Sequence, residues 1–473
     1  MNKKLLHILI AAGAVLVLAA VVILLVVGSN KDKERLQNEP QGIPLVEEKE
    51  DDLTTVEVTN SDGSFTAVMT EVTGRGGKKS KALRLEGYED LPAAADAFDT
   101  LSLRASHFNA TRVIAEKAEN LSDYGLDAPQ VKFQSTFRDG SRKTVSIGAP
   151  VPDDSGLYAM REGDESVYIV SFTYLDTFSK TRDAYISKQL IPIYTDNDAL
   201  KFQSVELAGS SREKPLVITK YHDETSAQLY EITEPFPALT MDDKVQTILS
   251  SLTVGLDAAE IAVIHPTAEQ IAEYGLDNPY STVRFQFEDA EYYLRIGKPQ
   301  DEEGFIHVMV NENPLIYKLA ASMLEYRDYQ LEDVLSGRLF TGNITQISHV
   351  ILTANGKEYD FEIDHSQSQA GYILNGTRID SDWGAMFYSN LLLLSRKEVS
   401  EKATSGSPVL TCTLQFTDKN REPTKWEVYK ESGDEYLFVT GGKTTASVYP
   451  AAVQKLCEDL EKLSRGEEIE AIY

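Results

Sequence analysis

Two stretches of the chain combine residue types that could form a reactive or ligand-binding loop: AENLSDYGLDAP at 118–129 and AEQIAEYGLDNP at 268–279. Each places a tyrosine, carboxylates and a proline around one glycine. Such a composition suits a catalytic loop, a ligand cradle or the end of a helix. The elements on either side decide between these alternatives.

The second stretch has the spacing of a helix and its termination signal. Thr267 and Gln270 have capping-box spacing. Gly275 stands where a left-handed φ would end the helix, and Leu276 supplies an apolar contact on the last turn. Pro279 then prevents continuation. We therefore predict a structural turn.

The first stretch repeats this arrangement with Gly125, Leu126 and Pro129. Tyr124 and Tyr274, which precede the two glycines, are expected to pack and not to react. We assign no catalytic, cofactor-binding or metal-binding residue to either stretch.

Two further stretches resemble the end of a phosphate-binding loop. GGKTT at 441–445 has Leu437, and GRGGKKS at 74–80 has Val72, where such a loop needs its first glycine. Both are predicted to be turns.

Metal and acid chemistry find little support in the sequence. The histidines have no close ligand spacing, and they are His7, His107, His222, His265, His307, His349 and His365. Acidic loops at 153–155 and 301–303 occupy matching places, which permits cation binding, although a solvated loop is the simpler interpretation. Paired carboxylates for hydrolysis meet in space and not in sequence, so nothing nominates them.

The chain has 473 residues, a net charge of −28 and 42% hydrophobic residues. Its length indicates several folded domains. Its charge argues against nucleic acid or an anionic membrane surface as a partner of the main body. Cys412 and Cys457 are too few for a disulfide scaffold; they could pair, but two buried thiols are favoured.

Residues Leu5 to Val27 form an uncharged apolar run. As a helix this run is roughly 35 Å long, enough to cross a membrane. We predict a cytoplasmic tail and transmembrane signal anchor over 1–27, with a cleaved signal peptide as the alternative. A polar, flexible tether is expected over 28–52. The body would lie outside the cytoplasm, although the flanking charges do not fix the orientation.

The body repeats itself at an offset near 150 residues. The matching pairs are Tyr124 with Tyr274, Phe137 with Phe287, Asp139 with Asp289, and Tyr168 with Tyr317. A degenerate third copy carries Phe416, Asp418 and Tyr449 but lacks the YGLDxP motif, and its shorter spacing fits loss of that segment. We predict repeat units at 53–195, 196–340 and 341–473.

Each copy begins with short alternating strands, continues with a helix such as 241–252, and ends with further strands and a closing helix. The predicted fold is therefore α+β: an N-terminal transmembrane helix followed by three tandem, related units of antiparallel strands with packed helices.

The set of motifs resembles the domain-of-unknown-function family 4340. The resemblance rests on the membrane helix, the repeated YGLDxP, the F-x-D turn, the IG of VSIGAP and LRIGKP, and the tyrosine-containing strand. Tyr230 and Tyr372 stand where the family often has a tryptophan. The resemblance implies a bacterial envelope protein, often encoded beside gliding-type ABC-transporter components, with no catalytic residues to transfer.

Two functions follow as hypotheses. The first is a membrane-anchored, extracytoplasmic, non-enzymatic accessory protein that binds an ABC-transporter assembly or an envelope polymer. The second is an envelope hydrolase whose carboxylates meet only in the fold. A cleft with carboxyl groups of raised pKa would favour the hydrolase, and exposed apolar surface would favour binding.

Overall fold

A computed structural model of the protein describes residues 42–73, 79–193, 201–222, 228–288, 290–366 and 370–471. The predicted anchor at Leu5–Val27 and the repeat residue Asp289 lie outside these ranges. Within them, no helix combines the length and apolar character that crossing a membrane requires. The described chain is α+β and its three large sheets are antiparallel throughout.

The chain divides into two compact units, and the first ends at Ser187. The strands of the first unit are β1 (Ile43–Glu47), β2 (Leu53–Asn60), β3 (Gly63–Thr73), β4 (Lys79–Leu85), β5 (His107–Ala110), β6 (Arg112–Ala115), β7 (Val131–Phe137), β8 (Arg142–Pro150), β9 (Leu157–Arg161) and β10 (Val167–Val170). Its α-helices are α1 (Ala95–Ser106) and α2 (Phe172–Phe178), and its 3₁₀ helices are Glu50–Asp52, Leu121–Tyr124 and Arg182–Tyr185.

The first large sheet has the order β4-β3-β2-β7-β8-β9-β10-β6. Along β7, buried residues alternate with more exposed ones, so one face of the sheet is apolar. Helices α1 and α2 pack against β7 and cover that face. The ring of Phe133 stacks on that of Phe178, with 4.0 Å between ring centroids. The core therefore lies between the sheet and these two helices.

The second unit begins at Lys188 and contains the other two large sheets. The strands that lead to and form the first of these sheets are β11 (Gln189–Ile191), β12 (Phe202–Ala208), β13 (Leu216–Lys220), β14 (Tyr230–Glu234), β15 (Ala238–Leu239), β16 (Leu256–Asp257), β17 (Glu260–Ile264), β18 (Ser281–Phe287), β19 (Glu291–Ile296), β20 (Phe305–Val310) and β21 (Leu315–Ala320). The helices of this part are α3 (Asp242–Thr253), α4 (Ala268–Glu273), α5 (Leu331–Val334) and the 3₁₀ helix Ala321–Asp328.

The last sheet is built from the C-terminal part of the chain. Its strands are β22 (Ile347–Ala354), β23 (Lys357–Asp364), β24 (Gly371–Leu374), β25 (Thr377–Arg378), β26 (Arg396–Val399), β27 (Leu410–Phe416), β28 (Thr424–Lys430), β29 (Tyr436–Thr440) and β30 (Lys443–Val448). Its helices are the 3₁₀ helix Ile344–Gln346, α6 (Ser381–Leu392) and α7 (Pro450–Ser464).

The three sheets repeat one strand order. The second runs β15-β14-β13-β12-β18-β19-β20-β21-β17 and the third β25-β24-β23-β22-β27-β28-β29-β30-β26. The first differs only in lacking the short outer strand. In each case a helix (α1, α3 or α6) precedes the strand that returns to the far edge of the sheet. The strand orders therefore match the predicted internal repeat.

The boundaries of the repeats differ from the sequence prediction. Residues 43–52 do not form a flexible tether, because β1 pairs with β5. Likewise β11, placed in the first repeat by the prediction, pairs with β16 of the second unit. The corresponding bridge in the third copy joins Arg338 to Ser395. Each sheet is thus preceded by a short segment, and this segment pairs with residues that directly follow the first helix of the sheet.

Two details of the predicted alignment are also wrong. Tyr168 and Tyr317 lie within strands, whereas Tyr449 is the half-exposed N-cap residue of α7. The predicted closing helix of the second copy is a 3₁₀ helix with a non-helical Leu324. The third copy has no helix between β26 and β27, in agreement with the predicted loss of the motif segment.

Candidate functional site

The YGLDNP stretch closes α4. The hydroxyl of Thr267 accepts a hydrogen bond from the Gln270 amide, and the Gln270 side chain accepts one from the Thr267 amide, which completes the predicted capping box. Gly275 has a φ of 72°, the predicted left-handed value. Its amide donates to the Ala272 carbonyl at 2.9 Å, and the Leu276 amide donates to the Ile271 carbonyl at 2.9 Å. These bonds satisfy the last carbonyls of the helix.

The YGLDAP stretch forms the same turn after a 3₁₀ helix. Gly125 has a φ of 65°, and the amides of Gly125 and Leu126 donate to the carbonyls of Ser122 and Leu121. Leu126, like Leu276, is buried. Beyond the second turn, the carbonyl of Pro279 accepts a hydrogen bond from the Ser210 amide. Pro129 ends the corresponding stretch of the first copy.

The glycine of the IG motif packs directly on this turn. A Cβ on Gly297 would collide with the carbonyl oxygen of Tyr274, and a Cβ on Gly148 would collide with that of Tyr124. A Cβ on Gly275 would in turn lie 2.9 Å from the Gly297 carbonyl oxygen. YGLDxP and IG are therefore two halves of one close backbone contact.

The two motif tyrosines contact an aromatic residue at the same strand position of each copy. The ring of Tyr124 meets that of Tyr158 edge-on at 5.0 Å, and the ring of Tyr274 lies 4.4 Å from that of His307. Burial lowers the pKa of His307. These contacts are packing contacts, and among the described residues neither tyrosine hydroxyl has an acid or base partner that would activate it.

The acidic loops use their carboxylates to hold their own turns. Asp153 accepts a hydrogen bond from the Ser155 amide, and Asp301 accepts from the amides of Glu303 and Phe305. These hydrogen bonds lower the pKa of both carboxyl groups. Within the described ranges, no three His, Cys, Asp or Glu side chains come together in a way that could hold a metal ion.

Several carboxyl groups of the described chain have a pKa below its ordinary value. Besides Asp153 and Asp301, hydrogen bonds and neighbouring cations lower the pKa of six carboxyl groups: Asp139, Asp164, Asp364, Glu427, Glu431 and Glu467. A hydrolase of the proposed kind needs a carboxylic acid that stays protonated near neutral pH. The carboxyl groups whose pKa is lowered do not fit that role.

The remaining motif residues and the cysteines have structural roles. Gly441 and Gly442 form the tight turn between β29 and β30, as predicted. Residues 74–78 of the other glycine-rich stretch lie outside the described residues. Cys412 and Cys457 are separate buried thiols, and burial raises the pKa of both.

The second unit contains a groove of about 790 Å³. We call it the α6 groove. One wall is the exposed side of α6 with Leu392 and Leu393, and the other is the connector that leads into the third sheet. The lining residues are Gln228, Asp242, Arg338, Phe340, Thr341, Gly342, Asn343, Ile344, Tyr372, Ala385, Tyr388, Ser389, Leu392 and Leu393.

Leu393 gives the groove an apolar rim. It is the C-cap residue of α6 and is 56% exposed. Val254, the C-cap residue of α3, occupies the same position in the second sheet and is 51% exposed.

Charges of both signs line the α6 groove. The oxygens of Asp242 accept hydrogen bonds from the side chains of Gln228 and Thr240 and from the amide of Leu229. The exposed Arg338 guanidinium, in contrast, has no ion-pair or hydrogen-bond partner among the described residues. The cation is therefore the charge that remains available to a ligand.

The hydroxyl of Tyr388 lies at the base of the groove. The residue is 4% exposed, and its hydroxyl oxygen has no hydrogen-bond partner among the described residues. Burial raises the pKa of Tyr388, so the hydroxyl stays protonated. A buried polar group without a partner costs about 1–3 kcal/mol. A ligand group that reached this hydroxyl would recover part of that cost.

Sequence reasoning missed the α6 groove almost completely. Of its lining residues, only Tyr372 was noted, as a replacement for a tryptophan. The ring of Tyr372 lies against Gly384 of α6, where a Cβ would collide with it. The other lining residues come from three separate segments, 228–242, 338–344 and 385–393, and no local pattern links them.

The class of protein is defined by tandem α+β sheets of one strand order. In the first two copies, the backbone of the YGLDxP turn contacts the glycine of the IG motif. The chain belongs to the DUF4340 family, a domain of unknown function, whose profile matches residues 84–262 and 231–408. The two matches start 147 positions apart, close to the spacing of the repeats. Each match begins near the third strand of one sheet and continues into the next. Comparison with the curated proteins and with the solved structures gave no match.

Proposed function

We propose that the protein is a membrane-tethered binding protein whose body lies outside the cytoplasm and whose α6 groove holds a protein partner. The proposal places residues 5–27 in the membrane as a signal anchor. Its chief support is the α6 groove itself, with an exposed leucine on the rim and an unpaired arginine beside it. The lowered pKa values of the shifted carboxyl groups favour binding over hydrolysis.

The apolar wall of the groove favours a protein as partner. Leu392 and Leu393 present aliphatic carbons, which match the apolar side chains at the centre of protein interfaces. Family resemblance suggests an ABC-transporter assembly as the setting, and we propose the accessory role on that ground.

Site-specific photo-crosslinking tests the binding surface. A photoreactive residue at Leu393 of the full-length protein should give discrete adducts in intact cells. The same residue at Val254 is the matched control, because that position has the same place in its repeat and a similar exposure. Equal adducts at both positions, or none at Leu393, would count against the α6 groove as the binding surface.

Protease accessibility tests the orientation. Protease added to cells with a permeable wall should degrade the body from outside, because the proposed anchor leaves it beyond the membrane. A body that stays protected until the membrane is broken would refute the extracytoplasmic location.

A further inference from the structure

The connector along the α6 groove, residues 340–342, has main-chain N–H and C=O groups without a backbone hydrogen bond among the described residues. The connector is nevertheless held by its side chains. The Phe340 ring lies 5.0 Å from that of Trp426, and the hydroxyls of Thr341 and Tyr221 are 3.1 Å apart. Its position is therefore fixed while its hydrogen-bonding capacity is unused.

Fixed main-chain groups beside apolar side chains provide what strand addition requires. An added peptide gains affinity from main-chain hydrogen bonds and specificity from alternate side chains that enter pockets. Here the connector would supply the hydrogen bonds, and Leu392 and Leu393 would contact the inward-facing side chains.

We propose that the α6 groove binds an extended peptide segment of the partner protein, with apolar residues at alternate positions and an acidic residue beside Arg338. This inference rests on the proposed function and specifies the partner's chemistry. The acidic residue follows from charge complementarity, because Asp242 is engaged by its own hydrogen bonds and Arg338 is not.

Tyr388 provides an additional polar contact at the base of the groove. A Cβ on Gly342 would lie 2.7 Å from the Tyr388 hydroxyl oxygen, so the connector backbone passes directly over it. In the proposed complex, a peptide amide or carbonyl beside Gly342 would pair with this hydroxyl. The hydroxyl can donate or accept, and it has no partner that would compete.

The test uses linear heptapeptides displayed on phage and selected on the full-length protein. Peptides with alternating apolar residues and one Asp or Glu should be enriched relative to selection on Leu393→Glu. N-methylation of a main-chain amide in the selected peptide should weaken binding about tenfold, since it removes a main-chain hydrogen bond. Arg338→Glu should shift the selection from acidic residues to Lys or Arg.

Tyr388→Phe separates a binding role from a structural one. The change removes the hydroxyl without opening a cavity, so the unfolding temperature should stay the same or rise while peptide affinity falls.

Three results would overturn the inference: no enrichment over Leu393→Glu, enrichment of helical spacing of three and four residues, or full binding after N-methylation. If crosslinks at Leu393 persist in those cases, the proposed function stands and only the extended mode of binding is wrong; if they are missing too, both fail.

Discussion

At the residue scale, the contact between Gly297 and Tyr274 explains why a glycine follows the isoleucine of the IG motif. Any side chain at position 297 would meet the carbonyl oxygen of Tyr274, which belongs to backbone fixed by the helix end. The same geometry recurs between Gly148 and Tyr124. The sequence supplied both motifs but gave no sign that they touch.

Gly297→Ala should therefore destabilise the second unit by about 2–3 kcal/mol through overpacking. Gly304→Ala is the control, because Gly304 has a left-handed φ of 84° and open space around it. That control should lose only about 1 kcal/mol. Chemical denaturation measures the free energy of unfolding of both variants. Equal losses would show that the backbone shifts to accommodate the added methyl group at position 297.

His307 makes the stability of the second unit depend on pH. Burial lowers its pKa in the folded state, against the opposing effect of Asp301 and Glu260 and with the help of Lys318 and Lys298. The unfolded chain therefore binds the proton more readily. The stabilising contribution is complete above a pH of about 6.5 and declines as the pH falls below that value.

Replacement of His307 by Tyr, the residue at the matching position 158 of the first copy, should remove this dependence. Denaturation midpoints between pH 7 and pH 5 should fall for the wild type and change less for His307→Tyr. Parallel slopes for the two proteins would mean that another group controls acid sensitivity.

At the element scale, the two motif turns differ in the helix that precedes them. The second copy has the α-helix α4 with a complete capping box, whereas the first has a 3₁₀ helix capped by Asn120. The spacing of Thr267 and Gln270 made the former predictable, because a capping box acts within one turn of helix. In the first stretch Asn120 and Asp123 have the same spacing, but the Asn120 side chain accepts a hydrogen bond from the Ser122 amide and donates one to the Asp123 carboxylate.

Thr267→Ala should lower the stability of the second unit by about 1 kcal/mol, since the Gln270 amide loses the hydroxyl that accepts its hydrogen bond. Thr267→Ser is the matched variant that keeps the hydroxyl and should behave like the wild type. Thermal unfolding followed by circular dichroism is sufficient. A similar loss in both variants would assign the effect to the methyl group of threonine and not to the cap.

Local signals predicted local structure well and distant pairings poorly. The apolar spacing of Val245, Ile248 and Leu252 predicted α3, and all three side chains are buried. The short strands β1 and β11 were missed because their partners lie more than sixty residues further along the chain. The α6 groove was missed for the same reason: burial and exposure there depend on tertiary packing and not on periodicity.

At the scale of the whole molecule, the structure moves the boundary of the second unit toward the N-terminus. The sequence placed it at residue 196, but β11 pairs with β16 and Ile191 lies opposite the buried Leu256. A unit that starts at Lys188 keeps this pairing, and one that starts at residue 196 loses it.

A fragment of residues 188–473 should unfold cooperatively, and a fragment of residues 196–473 should unfold at a lower temperature with Leu256 exposed. Differential scanning calorimetry of the two fragments compares them directly. Identical transitions would show that β11 adds nothing to the second unit and would restore the boundary predicted from sequence.

In our proposal, the family's turn motif maintains the fold and the α6 groove binds the partner. One paired measurement tests it most directly: thermal unfolding and crosslinking to the partner, both in full-length Gly275→Ala and full-length Leu393→Glu. For the crosslinking, the photoreactive residue is placed at Ser389 on the groove wall. Gly275→Ala should unfold at a lower temperature yet form the adduct whenever it is folded, because it strains a left-handed residue and removes no ligand contact. Leu393→Glu should keep the wild-type unfolding temperature and lose the adduct. The opposite pattern, with capture abolished by Gly275→Ala at unchanged stability and retained by Leu393→Glu, would contradict the account.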